Sequence, residues 1–457
     1  MENVNFANVI LHAFDWPYAL VGERAKAISE GGYKSVLVSP PMKSLVHPEG
    51  TEWWQRYQPQ DYRVIENQLG DTHDFVSMVE ALAKFNIHIY VDVVFNHMAN
   101  ESSIRSDLQY PNQADLNRYQ ADSDYYESLR LFGDLSTPIF DEDDFVDAFG
   151  IKDWRDKWEV QNGRITGGPN DPGLPTLKDN QHVIEQQKSY LLALKKLGVK
   201  GFRIDAAKHI TLKQLQQVWS KEVTDGVHIF GEIITDGGAT KEEYELFLEP
   251  YLKETRLGAY DFPLFQTLYD SLSDKGSLKS LVDPYCFGQA LSKRRAITFA
   301  ITHDIPNNDV FQDMIMTEEN EWLAYSYILG RDGGAPLIYS DLDQSGVKDS
   351  NGLPRWQGAW DDARMTKRIH FYNKMHGLPM RMIEASEDLL IFQRGEQGIV
   401  VLNKSISKLT AQIKADGTWL DNLRDDNYEA QSGLLDITVD PKTSLLLIKQ
   451  AVTDEIA

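Results

Sequence analysis

Residues 201–207, Gly-Phe-Arg-Ile-Asp-Ala-Ala, restrict the fold of this chain more than any other stretch. Phe202 and Ile204 alternate with Arg203 and Asp205, and Gly198 and Gly201 bracket the approach. The pattern predicts a short buried strand that carries a cation and a carboxylate out of its C-terminal end. Side chains two apart on a strand point the same way, so Arg203 and Asp205 share a face. An internal ion pair closing one end of a core would also account for them. Charges at the strand ends of a barrel, however, usually serve a site. Lys208 and His209 extend the motif, and similar strand ends recur further along.

Strands and helices alternate around this stretch. Residues 8–16 (NVILHAFDW) and 34–40 (KSVLVSP) predict two strands with a helix over 20–31 between them. An aromatic-rich loop (EGTEWWQRYQPQDYRVI) leads to a helix from about Thr72, with Thr72 as its cap and Phe75, Val76, Val79, Leu82 and Ala83 on one face. The run from Ile87 to His97 is nearly all apolar, as a strand buried on both faces should be. From Met98 to Leu177 the alternation stops in a stretch rich in Asp, Tyr, Gly and Pro, too long for an ordinary connection and therefore read as an inserted subdomain. It resumes with helices over 184–197 and 212–223 and strands at 201–207, 227–234, 258–262, 295–304 and 335–340. Eight such repeats predict a (β/α)8 TIM barrel formed by residues 1–97 and 178–378, with residues 98–177 inserted after the third strand. The short alternating segments of residues 379–457, such as GIVVLNK and SLLLIKQ, predict a C-terminal antiparallel β-domain, a sandwich.

Composition excludes several classes. With 46 basic and 69 acidic residues the net charge is −23, a field that repels nucleic acid and anionic membranes, so neither is expected as a partner. A single cysteine, Cys286, rules out an intramolecular disulfide or a thiolate metal cluster. No apolar run reaches membrane-spanning length. Met1-Glu2-Asn3-Val4 leads into Val9-Ile10-Leu11 without a charged leader and apolar core, so a cytoplasmic protein is expected unless a leader has been removed, and a monomer is expected.

Barrel chemistry sits at the C-terminal strand ends. Those ends carry Asp92, Asn96 and His97; Arg203, Asp205, Lys208 and His209; Glu232; and His303 with Asp304. Three carboxylates with an arginine and two histidines suit glycosidic bond cleavage, in which one carboxylate attacks the anomeric carbon and another protonates the leaving oxygen. Arg203 beside Asp205 would keep the attacker ionised, and the apolar neighbours of Glu232 would keep the acid protonated. Asp92 is read as orienting Arg203, and the acidic run Asp141–Asp144 as a solvated face or turn.

IYVDVVFNH, GFRIDAAKH, GEII and FAITHD resemble, in order and spacing, the motifs of the α-amylase family of glycoside hydrolases, and WWQRYQP and ILHAFDW look like stretches of its animal-type members. The resemblance implies Asp205 as nucleophile, Glu232 as acid/base and Asp304 as the carboxylate that fixes the sugar. It implies Arg203, His97 and His303 around the cleavage point, and Tyr57 as a stacking platform beside Gln58. Trp53 and Trp54 would form a sugar-stacking wall, and Lys208 and His209 would contact the leaving side. It also implies a structural calcium held by Asn96, the His209 carbonyl and an aspartate. Thr176 stands at that aspartate's usual position, so a weaker ion with Asp171 substituting is expected. Thr302 precedes His303 where chloride-activated members have Asn, and the LIYSD stretch lacks their arginine, so chloride is not expected. The expected partner is an α-glucan or maltooligosaccharide, cut internally with retention. An exo-acting maltogenic amylase, a glucanotransferase, and an inactive carbohydrate-binding barrel are the alternatives.

Overall fold

The computed structural model describes residues 8–47, 50–235, 241–285 and 290–451; Cys286 lies outside them. The eight predicted barrel strands are present: β1 (Ile10–Ala13), β2 (Ser35–Val38), β3 (His88–Val93), β4 (Gly201–Ile204), β5 (His228–Gly231), β6 (Gly258–Tyr260), β7 (Ala296–Thr298) and β8 (Ala335–Ser340). They close into a barrel in the order β1-β8-β7-β6-β5-β4-β3-β2. Register within it is parallel, for example Asp92 beside Arg203 and Arg203 beside Phe230, which brings the ends of β3, β4 and β5 level. A Cβ at Gly201 would overlap the ring of Tyr90, so only glycine lets β3 and β4 approach this closely.

The chain divides into two compact units. One comprises residues 12–29 and 35–260 apart from its extreme N-terminus, the other residues 30–34 and 261–457 with the start of β1. In the first, the helix Thr72–Ala83 packs Phe75, Met78 and Leu82 inward. Its cap is Asp71, one residue earlier than the sequence suggests: Asp71 accepts from the His73 and Asp74 amides, and Asp74 returns the bond to complete a capping box. Thr72 instead donates to the Leu129 carbonyl at 2.8 Å. Between β3 and β4 the chain carries helices Gln113–Ala121, Ser123–Leu129 and Lys157–Asn162, and Leu116, Tyr119, Tyr126 and Leu129 form a small core with Val64 and Leu135. The acidic run is a capping-box turn, and its last member, Asp144, is buried and accepts from Asn180 at 3.0 Å, so only part of it is a solvated face.

In the second unit, strands β9 (Met380–Ala385), β10 (Leu389–Arg394), β11 (Gly398–Asn403), β12 (Leu409–Lys414), β13 (Thr418–Asp421), β14 (Asn427–Glu429), β15 (Leu434–Val439) and β16 (Thr443–Lys449) follow the barrel. Six make an antiparallel sheet, β9-β10-β11-β16-β13-β14, and β12 pairs with β15. Ile391, Val401, Trp419 and Leu447 of the larger sheet share one core with Ile413 and Ile437 of the smaller. β12 and β15 give one face to that core and alternate with period 2, whereas β10, β11 and β16 are buried along nearly their whole length.

Candidate active site

The ends of β3, β4 and β5 meet on one guanidinium. Arg203 has no exposed surface, and its ring neighbours are Tyr57 and Tyr260, 5.9 and 5.7 Å from the guanidinium carbon. Its Nη1 donates to Asp92 Oδ2 at 2.7 Å and to Asp205 Oδ1 at 2.8 Å, while Nη2 donates to Glu232 Oε1. The second oxygen of Glu232 accepts from the Ala206 amide at 3.0 Å. Ala206 is held in the left-handed region (φ 48°), a strained conformation for a residue with a Cβ, and this turns the chain sharply beyond Asp205.

One cation thus serves three carboxylates, where the sequence suggests a pair. Burial pushes the Asp92 carboxyl up to about 6, opposed by Arg203 and by the Tyr57 hydroxyl that donates to it at 2.8 Å. Burial likewise holds the Asp205 carboxyl well above the usual carboxylate range, opposed by Arg203 and reinforced by the charges of Glu232 and Asp92. A buried cluster with three potential negative charges and one fixed positive charge retains a proton more readily than isolated carboxyls do. Such a cluster can supply both an ionised attacker and a protonated acid.

Tyr57 closes this side. It ends the turn Trp53–Tyr57, which Arg56 anchors through a two-pronged pairing with Asp15 at 2.7 Å for each bond. Trp53 packs on Phe14 and Tyr57 at 5.6 and 5.9 Å, whereas Trp54 is exposed. The Gln58 carboxamide oxygen accepts from the Asn100 amide at 2.9 Å. His97 is buried, and burial lowers its imidazole to about 4, so it is neutral. Its Nε2 donates to the Tyr57 carbonyl at 2.9 Å, and Nδ1 faces Asn96 Nδ2 at 3.3 Å.

Beyond β4, Lys208 Nζ pairs with Glu243 at 3.0 Å and lies 5.8 Å over the Trp154 ring and 5.0 Å over Phe247. His209 meets Trp154 edge-on at 5.8 Å. Glu243 and Trp154 escape sequence reasoning because their partner Lys208 comes from a distant stretch of chain. In the second unit, His303 is buried and its Nε2 lies 3.4 Å from Asp304 Oδ1, at the start of the helix Asp304–Asn307 that follows β7.

Hydrogen bonds surround the positions expected to hold calcium. The Asn96 carbonyl accepts from Leu177 N at 2.9 Å, and Met98 N donates to the Pro175 carbonyl at 3.0 Å. Thr176 Oγ1 donates to the Gly163 carbonyl at 3.0 Å, and His209 Nδ1 to the Val160 carbonyl at 2.8 Å. Asp171 is exposed and accepts from Asn100 at 2.6 Å and from Gly173 N at 3.0 Å. Among the described residues, no three His, Cys, Asp or Glu side chains group as a metal site. Calcium takes six to eight oxygens, several of them charged. Of the expected set Asp171 is the one carboxylate, and it accepts from Asn100 and from Gly173 N. Direct hydrogen bonds fasten the insertion to the ends of β3 and β4.

A carboxylate cluster at the C-terminal ends of a parallel eight-stranded barrel, followed by an antiparallel β-domain, defines a class of glycoside hydrolase. Residues 21–256 match the family model of the α-amylase catalytic domain. An α-amylase of Aeromonas hydrophila is 48% identical over 398 residues, covering 87% of this chain and 84% of that protein. The chain belongs to the α-amylase family. Among solved structures, wild-type α-amylase I of Eisenia fetida aligns with a TM-score of 0.77 at 20% identity, over 97% of this chain and 98% of that one. A γ-CGTase from alkalophilic Bacillus clarkii aligns at 0.74 with 16% identity, over 99% of this chain and 72% of that one.

Proposed function

We propose that this chain hydrolyses internal α-1,4 bonds of an α-glucan with retention, Asp205 attacking and Glu232 acting as acid and then base. The observation that carries the reading is that both carboxylates are hydrogen-bonded to the two terminal nitrogens of Arg203, at neighbouring strand ends. Retention needs two carboxyl groups about 5–5.5 Å apart, and one guanidinium bridging both is compatible with that span. Attack by Asp205 on the anomeric carbon forms a glycosyl ester as Glu232 gives its proton to the departing oxygen. Glu232 then takes a proton from water, which breaks the ester. Arg203 and the Ala206 amide fix the Glu232 oxygens, so its proton is delivered from a defined position. Asp92 holds Arg203, and His97 positions the Tyr57 backbone. The same fold is seen in the γ-CGTase, so fold does not separate hydrolysis from glucanotransfer.

Incubation with soluble starch, with products resolved by size, tests this. An internal cutter gives a spread of linear maltooligosaccharides from the first time points, and Asp205→Asn and Glu232→Gln should each lower the rate by roughly 10²–10⁴-fold or more. A single short product from the outset would mean exo action, cyclic or lengthened products glucanotransfer, and no product an inactive barrel.

A further inference from the structure

The turn Trp53–Tyr57 has five residues and is closed by short-range bonds, Gln55 N to the Glu52 carbonyl and Gln58 N to the Gln55 carbonyl, each at 3.1 Å. Bonds of this i to i+3 kind have poor geometry and hold a short turn only loosely. Arg56 supplies the missing rigidity, with its side chain 1% exposed. Its Nε and Nη2 each reach one oxygen of Asp15 at 2.7 Å, and Nη2 also donates to the Thr51 carbonyl at 2.9 Å. Asp15 is itself fixed just beyond β1. Its amide donates to Ser39 Oγ at 2.9 Å, at the end of β2, and its backbone lies in the left-handed region (φ 58°). An aspartate tolerates that conformation better than most residues, yet it persists only where the surroundings over-determine it.

A buried ion pair is a poor way to stabilise a fold. Withdrawing both charges from water costs about as much as their attraction gains, and an apolar pair of similar size often packs as well or better. What a guanidinium fork on a carboxylate does supply is a fixed distance and angle between the two segments that carry them. The residue after Arg56 shows what that geometry serves. Tyr57 donates its hydroxyl to Asp92 Oδ2 at 2.8 Å, and the same oxygen accepts from Arg203 Nη1 at 2.7 Å. From Arg203 the bonds run on to Asp205 and Glu232. We infer that Asp15 and Arg56 are positioning residues for the reaction: their pairing seats the Tyr57 hydroxyl on Asp92, and so sets how Arg203 meets the two reacting carboxylates. The inference rests on the α-glucan reading above.

Steady-state rates on maltoheptaose, in a cycle of Arg56→Lys and Tyr57→Phe, test it. Arg56→Lys keeps a positive charge opposite Asp15 but replaces the fork by a point donor. It should lower kcat about tenfold, the size of one hydrogen bond to a charged group, and leave KM within about twofold. Tyr57→Phe keeps the ring, removes the hydroxyl and should do the same. Because the pair acts through that hydroxyl, the double variant should fall no more than about twofold below Tyr57→Phe alone. Losses that multiply in the double variant would overturn the inference, and so would an unchanged kcat in either single variant. A lowered unfolding midpoint in Arg56→Lys with full kcat would likewise mark the pair as a support of the fold only. Should Arg56→Lys fail to fold, Asp15→Asn, which keeps one acceptor and suits the left-handed backbone, completes the same cycle with the same outcomes. If the unmodified protein does not cleave maltoheptaose, the α-glucan reading itself fails, and the positioning role with it.

Discussion

Asp92, fully buried behind Arg203, shows how the site is tuned at the level of single residues. Its charge raises the carboxyl of Asp205, and its own carboxyl is pushed up to about 6. Asp92→Asn removes one negative charge from the cluster, so Asp205 should ionise more readily. The acid limb of kcat/KM should then move to lower pH, with a reduced plateau because Arg203 loses its rear anchor. A limb that stays in place or moves up would show that Asp92 does not act on Asp205 through its charge. Much of this cluster was legible beforehand, since Arg203 and Asp205 stand in one motif and Asp92 and Glu232 end neighbouring strands. The sharing of one guanidinium among three carboxylates was not, because alternation places side chains on a face without saying which atoms meet. Nor was the occupation of both His97 nitrogens by Tyr57 and Asn96, which depends on where the loop of Trp53–Tyr57 returns.

Among the elements, the insertion is the one whose attachment most needed the structure. Its length and composition marked it out, but its helices follow no strong apolar period, and Tyr119, Tyr126 and Leu129 find their core only with Val64 from before β3. Thr176 is the informative position. Its hydroxyl bonds the Gly163 carbonyl, next to the His97–Thr176 bridge that joins the insertion to the end of β3. A clamp made of such bonds should not depend on calcium. Thermal unfolding with excess calcium and with chelator should therefore agree to within about 2 °C, the shift that roughly 1 kcal/mol produces in a large domain. A larger fall in chelator would mean that an ion binds the folded state and that the donor set has been misjudged. The capping of the helix Thr72–Ala83 teaches a smaller lesson. Asp71 and Thr72 are both competent caps, and only the reciprocal bond to Asp74 selects the first.

For the whole molecule, the alternation of apolar strands and amphipathic helices was enough to lay out the barrel and the C-terminal sheets, because the barrel strands are short and buried and helices such as Thr72–Ala83 show one apolar stripe, although Glu318–Gly330, buried on most sides, shows none. Glu243 and Trp154 were hidden because their partners come from distant stretches of chain. The fold also carries a pH dependence. His97 ionises near 4 in the folded protein and near 6.5 when unfolded, so between those values the unfolded chain binds the extra proton and stability falls as pH falls. The full effect is roughly 3 kcal/mol. His209 and His228, also lowered to about 4, act in the same direction, while the raised carboxyls of Asp92, Asp261 and Asp205 act in the opposite direction. Because the two sets oppose each other, the imidazoles are read singly: by NMR the His97 ring should stay neutral down to about pH 4, and a ring that titrates near 6.5 would show that it is not held neutral. The central claim is that Asp205 and Glu232 act together by double displacement, and proton NMR of the first-formed product tests it most directly. Maltooligosaccharide hydrolysis followed before mutarotation should give the α-anomer, and a first product in the β-configuration would contradict the account.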